Sequence, residues 1–152
     1  MNILRIPTLL QGSREIIVPA LPRPTLRQIQ EDFPFVKDIL SDDSPQGPLT
    51  VRLFSLFDGQ NDEEMSGAQY EFLLRPHRGK LLGFQHAAWL ARNRKHFPEL
   101  EKLLLQVSVD FAGIRLSAFG EPRVLYLASG WQIRLSRADE DVDQDNLVAA
   151  AT

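Results

Sequence analysis

The sequence predicts one α+β domain, an antiparallel sheet packed against two helical segments and followed by an acidic tail. Three observations predict it. Apolar residues alternate with period two in several short runs, and they recur at helical spacing near 25–40 and 81–106. The 152 residues, 43% of them apolar, are also enough for one hydrophobic core.

At the start, Ile3 to Leu10 and Glu15 to Ala20 are rich in Ile, Leu and Val and flank Gln11-Gly12-Ser13-Arg14, which reads as an N-terminal hairpin with Pro7 at an edge. Pro19, Pro22 and Pro24 fix three φ angles and remove three donors, so the chain leaves the sheet as an extended connector. Thr25 followed by Gln28 forms a capping box, and Leu26, Ile29 and Phe33 predict a short helix to about Asp32. Phe33-Pro34 then predicts a second turn or helix through Val36, Ile39 and Leu40. A loop over Asp42 to Pro48 leads to a strand from Leu49 to Phe57 with both faces partly apolar. Asp58 to Glu64 reads as an acidic loop, and Tyr70 to Arg75 as the second strand of a central pair, stopped by Pro76 and Gly79.

Leu81 to His96 has the strongest helical pattern, with Leu81, Phe84, Ala88 and Ala91 on one stripe and Trp89 beside it. Pro98 opens a further helical segment to Gln106 whose inner face is Leu100, Leu103 and Leu104. Phe97 to Leu104 echoes Phe33 to Leu40, as a helix-then-strand unit used twice would. From Val107 the period returns to two. Val107 to Phe111, Ile114 to Phe119, Arg123 to Ser129 and Trp131 to Ser136, separated at Gly113, Gly120 to Pro122 and Gly130, read as a C-terminal antiparallel meander.

Seventeen bases and 20 acids give a net charge of −3, but the charge is blocked. Residues 31–74 carry −8, residues 75–96 carry +6 without an acid, and residues 138–152 carry −5 without a base. The last block reads as a disordered acidic tail, which places the domain at 1–137 and the tail at 138–152. The absence of cysteine excludes disulfides, cysteine-ligated zinc, iron–sulfur clusters and a thiol nucleophile. No apolar run approaches the ~20 residues of a membrane span, and no leader is visible at Met1, so the default expectation is a cytoplasmic protein without membrane contact. Thirteen of the 17 bases are Arg, in keeping with a GC-rich genome and so a bacterium or phage.

The basic block is the most informative chemical feature. Arg75, Arg78, Lys80, Arg92, Arg94 and Lys95 share it with all three histidines, His77, His86 and His96. On a helix Arg92, Lys95 and His96 fall on one face with Trp89 a turn earlier, so a polyanion would lie along that side and a base would stack on the indole. His86 and His96 are ten residues apart, nearly three helical turns, too far to share a metal ion. The 58–64 loop lacks calcium-loop spacing. Neither a metal nor a cofactor is expected.

No phosphate loop, dinucleotide fingerprint, zinc-protease pair or nucleophile elbow is present, and no catalytic residue is assigned. The leading expectation is a non-catalytic protein-binding module: an adaptor, an inhibitor or immunity-type protein, or an assembly component. Its motive is the pair of two-sided strands, Val124-Leu125-Tyr126-Leu127 and Leu53 to Phe57, since a sheet face left bare by helices needs a protein partner. Edge strands and the N-terminal hairpin would serve a homodimer. The first alternative is a nucleic-acid or polyanion binder using Arg78, Lys80, Arg92, Arg94, Lys95, His96 and Trp89. The second is an enzyme whose site assembles from distant segments.

Overall fold

The computed structural model describes residues 15–57 and 64–152. The first strand and turn of the expected N-terminal hairpin, and all but the last residue of the acidic loop, lie outside the described residues. The fold is mixed α+β, a large sheet with four helices among the described residues.

β1 (Ile17–Val18) pairs with β3 (Leu49–Phe54), and the proline connector leads to α1 (Leu26–Asp32). The capping box is formed as expected: the Gln28 N–H donates to Thr25 Oγ1 at 3.2 Å and the Thr25 N–H donates to Gln28 Oε1 at 2.9 Å. The next segment departs from expectation. Val36–Asp42 is a strand, β2, not a helix. Its pairing with β5 (Ser108–Ala118) slips between Val36 and Asp38 and again between Ile39 and Ser41. Each slip absorbs one extra residue as a bulge. Val36 and Ile39 therefore both pack inward although three residues apart, and the bulges imitate helical spacing. With a strand here and a helix at Pro98–Leu104, the echo between the two segments is not a structural repeat.

Tyr70 to Arg75 departs in the opposite sense. Gly67–Leu74 is a helix, α2, capped by Ser66 Oγ, which accepts from the Gln69 N–H at 3.1 Å. Tyr70 and Leu74, four apart, face inward, and this outweighs the local alternation that suggested a strand. The long helical pattern yields a shorter helix, α3 (Phe84–Arg92), followed by a 3-10 turn over Arg94–His96 and then α4 (Pro98–Leu104). Leu81, placed on the helical stripe by its spacing, instead bridges to Ala150 in the sheet.

The meander is confirmed in part. β5 pairs with β6 (Glu121–Ala128), which pairs with β7 (Gln132–Arg137), all antiparallel. Gly113 is no turn: it lies inside the 11-residue β5. Its N–H donates to Leu82 O at 2.8 Å, and a Cβ there would sit 2.2 Å from Leu81 O. Glycine is required because the 80–82 backbone presses against the strand at this point.

The segment expected as a disordered tail is built into the fold. A two-residue strand, β8 (Val142–Asp143), pairs with β4 (Glu64–Met65). The final strand, β9 (Asn146–Ala151), is inserted between β3, antiparallel, and the first part of β5, parallel. Leu147, Val148, Ala149 and Ala150 are fully buried. The five acids of the block precede this strand, and counting their charge concealed the apolar run behind them. The sheet order is β1-β3-β9-β5-β6-β7, with β2 alongside the second half of β5.

Helices cover both faces. On one, Ile29 of α1, Ala87 and Leu90 of α3, and Leu100 and Leu103 of α4 pack on Val109, Phe111, Leu125, Leu127, Leu147 and Ala149. On the other, Tyr70 and Leu74 of α2 join Phe57, Leu81, Ala112, Val124, Val148 and Ala150. Adjacent residues of β9 go to opposite cores, as the strand period of two requires. The two-sided strands are thus satisfied from within, and the bare sheet face inferred from them is not present among the described residues. No helix of the described residues is long and apolar enough to cross a membrane.

Candidate functional site

Among the described residues two wide concave surfaces emerge from this framework, beside a smaller pocket of about 60 Å³ lined by Arg75, Arg78 and Arg115 among others. The first is aromatic. β5 and β6 join through Ala118-Phe119-Gly120-Glu121, with Ala118 paired to Glu121 and both central residues at positive φ, 55° and 75°. That is a type I′ turn, for which Asn-Gly is the usual sequence and a phenylalanine at the first position is strained. The Phe119 ring stacks on Phe35 at 5.0 Å and 18°, and the Arg123 guanidinium lies 5.5 Å from its centroid. Phe33 meets Phe35 edge-on at 5.9 Å. These residues, with Ile133 and Leu135 of β7, line a groove of about 480 Å³. Arg123, which is paired with Glu121 at 3.3 Å, Arg134 and Asp32 supply its charge, and among the described residues the Arg134 side chain is hydrogen-bonded only to the neutral Gln132.

Trp131 gives the comparison that makes Phe119 informative. It too has positive φ, 61°, but its indole is only 6% exposed and its Nε1–H donates to Glu101 Oε1 at 3.2 Å. Burial and a hydrogen bond offset its strain. Phe119 remains 68% exposed and has only a partial stack in return.

The second surface is polar. Asp110 points from β5 into a cleft of about 280 Å³ bordered by β6, β7 and the 138–146 segment, and it is 6% exposed. Its Oδ2 accepts from the Tyr70 hydroxyl of α2 and from Asn146 Nδ2 at 2.8 Å. Asn146 is itself oriented by the Ser108 hydroxyl, which donates to its Oδ1 at 2.7 Å. Burial, opposed by these donors, raises the Asp110 carboxyl to about 6. Burial beside that carboxyl raises the Tyr70 hydroxyl well above its ordinary value.

The residues expected to bind a polyanion are not brought together. Arg78 and Lys80 precede α3, whereas Arg92, Arg94, Lys95 and His96 follow at its other end, separated by about 13 Å of helix. Arg78 approaches Asp43 at 3.6 Å. The four residues at the C-terminal end are exposed, but Trp89 is half-buried with its ring 5.8 Å from Phe97. His86 is sealed inside the fold, accepting from the Gly83 N–H at Nδ1 over 2.9 Å, and burial lowers it to about 4. Beside the same helix start, Gln85 Nε2 donates to Ser44 Oγ at 2.9 Å, and the Ser44 hydroxyl to Asp42 Oδ1 at 2.5 Å. This buried cluster ties the β2–β3 loop to α3. Among the described residues no group of three His, Asp or Glu side chains is placed to hold a metal ion.

Sequence reasoning missed both surfaces. Phe119-Gly120 stands where Asn-Gly belongs, and Asp110 interrupts an apolar strand between Val109 and Phe111; each was a visible irregularity. No protein-family model matches the chain, and no curated protein or solved structure matches it.

Proposed function

We propose that the chain is a non-catalytic protein-binding module whose Phe35–Phe119 groove takes an apolar side chain from an acidic segment of its partner. The observation that carries this is Phe119, exposed and held at positive φ without the burial that offsets the same strain at Trp131. Aromatic and arginine side chains around a concavity are what binding hot spots are made of. Arg123 is paired with Glu121, but Arg134 forms no ion pair among the described residues, and this open guanidinium at the groove favours a carboxylate beside the apolar anchor.

A displayed random-peptide library, selected on the wild-type chain and counter-selected on Phe119→Asn, tests the proposal. Asparagine relieves about 1 kcal/mol of left-handed strain and forfeits a stack of similar worth, so the fold should be retained with little change in Tm. Enriched peptides should carry an aromatic or large aliphatic residue flanked by Asp or Glu, and should bind Phe119→Asn at least about tenfold more weakly. Peptides that bind both chains equally, or no enrichment on the wild type, would overturn the reading.

The polyanion reading keeps one specific support: Arg92, Arg94, Lys95 and His96 are exposed and none forms an ion pair among the described residues. It requires labelled single-stranded DNA to bind with a steep salt dependence that Arg92→Glu with Lys95→Glu abolishes. Anisotropy that stays flat at low salt would remove it.

A further inference from the structure

We propose that the cleft over Asp110 is a binding site for an alkylammonium group, separate from the aromatic groove except at Tyr126, which borders both. The floor of the cleft is a carboxyl with one committed oxygen. Oδ2 accepts both hydrogen bonds, from Tyr70 and Asn146, while Oδ1 accepts none among the described residues. Among the described residues four buried polar atoms lacking a partner are sealed from solvent elsewhere, Asp42 Oδ2 and His86 Nε2 among them; Asp110 Oδ1 is not one of these, and Asp110 lines the cleft. Tyr70 and Asn146 hold the carboxyl in one orientation, so its free oxygen is presented to an occupant rather than turned away.

The surrounding charge selects the sign of that occupant. Glu140, Asp141 and Asp143 also line the cleft, and none of them forms an ion pair among the described residues. Arg137 lines it too, but its guanidinium is taken up outside the cleft by Asp139, at 3.0 and 2.9 Å, and by Glu121 at 3.2 Å. A cation is therefore drawn in, and a low-dielectric floor strengthens its attraction to Asp110.

The walls select its shape. Val124, Tyr126 and Val142 line the cleft. Tyr126 pairs directly with Asp110 across β5 and β6, and Val124 pairs with Ser136 across β6 and β7. Paired residues share a face, so aromatic and aliphatic surface flanks the carboxyl, with the Ser136 hydroxyl nearby. Among the described residues no three carboxylates converge as a bare metal ion would need. An ammonium on a short methylene stem fits the set: three N–H donors for Asp110 Oδ1 and neighbouring hydroxyls, and a stem for the tyrosine and valines.

That chemistry has two sources, a free amine or the lysine side chain of a protein. Calorimetric titration of the full chain with n-butylammonium chloride, and separately with Nα-acetyl-lysine methylamide, distinguishes them; n-butanol and sodium chloride at matched concentration are the controls. Saturable binding of either ammonium compound, absent with both controls and at least about tenfold weaker in Asp110→Asn, supports the site. Binding of the butylammonium alone assigns a free amine, and binding of the lysine derivative assigns a protein side chain. Should Asp110→Asn fail to fold, Asp141→Asn with Asp143→Asn alters only exposed side chains and should weaken binding in the same direction. Absence of binding by both compounds, equal binding by n-butanol, or affinities unchanged in the variants would overturn the proposal.

Discussion

Asp110 and His86 make opposite contributions to stability over the same pH range. The Asp110 carboxyl is raised from 3.8 to about 6, so the folded chain keeps a proton that the unfolded chain has lost; stability falls as pH rises through that window. The His86 imidazole is lowered from 6.5 to about 4, so the unfolded chain takes up a proton that the folded chain refuses; stability rises as pH rises from about 4 to 6.5. Each shift corresponds to about 3 kcal/mol, and between pH 4 and 6 the two largely cancel. Urea titrations across this range should therefore show a flatter profile for the wild type than for either variant. Asp110→Asn should gain stability steeply with pH, and at pH 8 should exceed the wild type by up to about 3 kcal/mol. His86→Gln keeps an acceptor for the Gly83 N–H and should lose stability between pH 4 and 6. Parallel slopes for all three chains would show that neither group titrates as its surroundings imply. A carboxyl whose removal stabilises the fold at neutral pH is one kept at the expense of stability, as ligand-binding groups commonly are.

At the scale of the element, Gly113 is the most exacting position. Gly113→Ala places a methyl against two backbone carbonyls, 2.2 Å from Leu81 O and 2.8 Å from Leu82 O, and should cost more than about 3 kcal/mol in urea unfolding. Gly47→Ala, with nothing within 4 Å, should cost little, and comparable losses at the two sites would contradict the close approach. α1 and α4 were legible because capping residues and a leading proline act within a few residues of themselves. β6 and β7 were legible from their alternation. β2 was not, because its bulges are fixed by its pairing with β5, and a bulged strand written on one line has the spacing of a helix. α2 carried a usable signal in Ser66 and Gln69, three apart, overshadowed by the alternating Tyr70-Glu71-Phe72. The groove was illegible for a related reason: Phe35 and Phe119 meet only through the β2–β5 pairing, so neither identifies the other along the chain.

For the molecule as a whole, one sheet serves two cores. β5, β6 and β9 each contribute side chains to both, so neither core can dissolve while the other keeps its strands. Tryptophan fluorescence, which reports the side of Trp89 and Trp131, and far-ultraviolet circular dichroism should therefore give superimposable urea transitions. Separated midpoints would mean that the two sides unfold independently. The placement of β9 also bears on biosynthesis. Val51 pairs with Ala151, and Ser108 runs beside Asn146, so strands made early wait for one made later. During vectorial synthesis the flanks of β3 and β5 stay open as unpaired edges, the surfaces on which nascent chains cross-associate. Translation pauses or truncations before residue 146 should thus release chains that aggregate instead of folding in part, and the apolar run beyond the acids acts as a closing latch on the sheet.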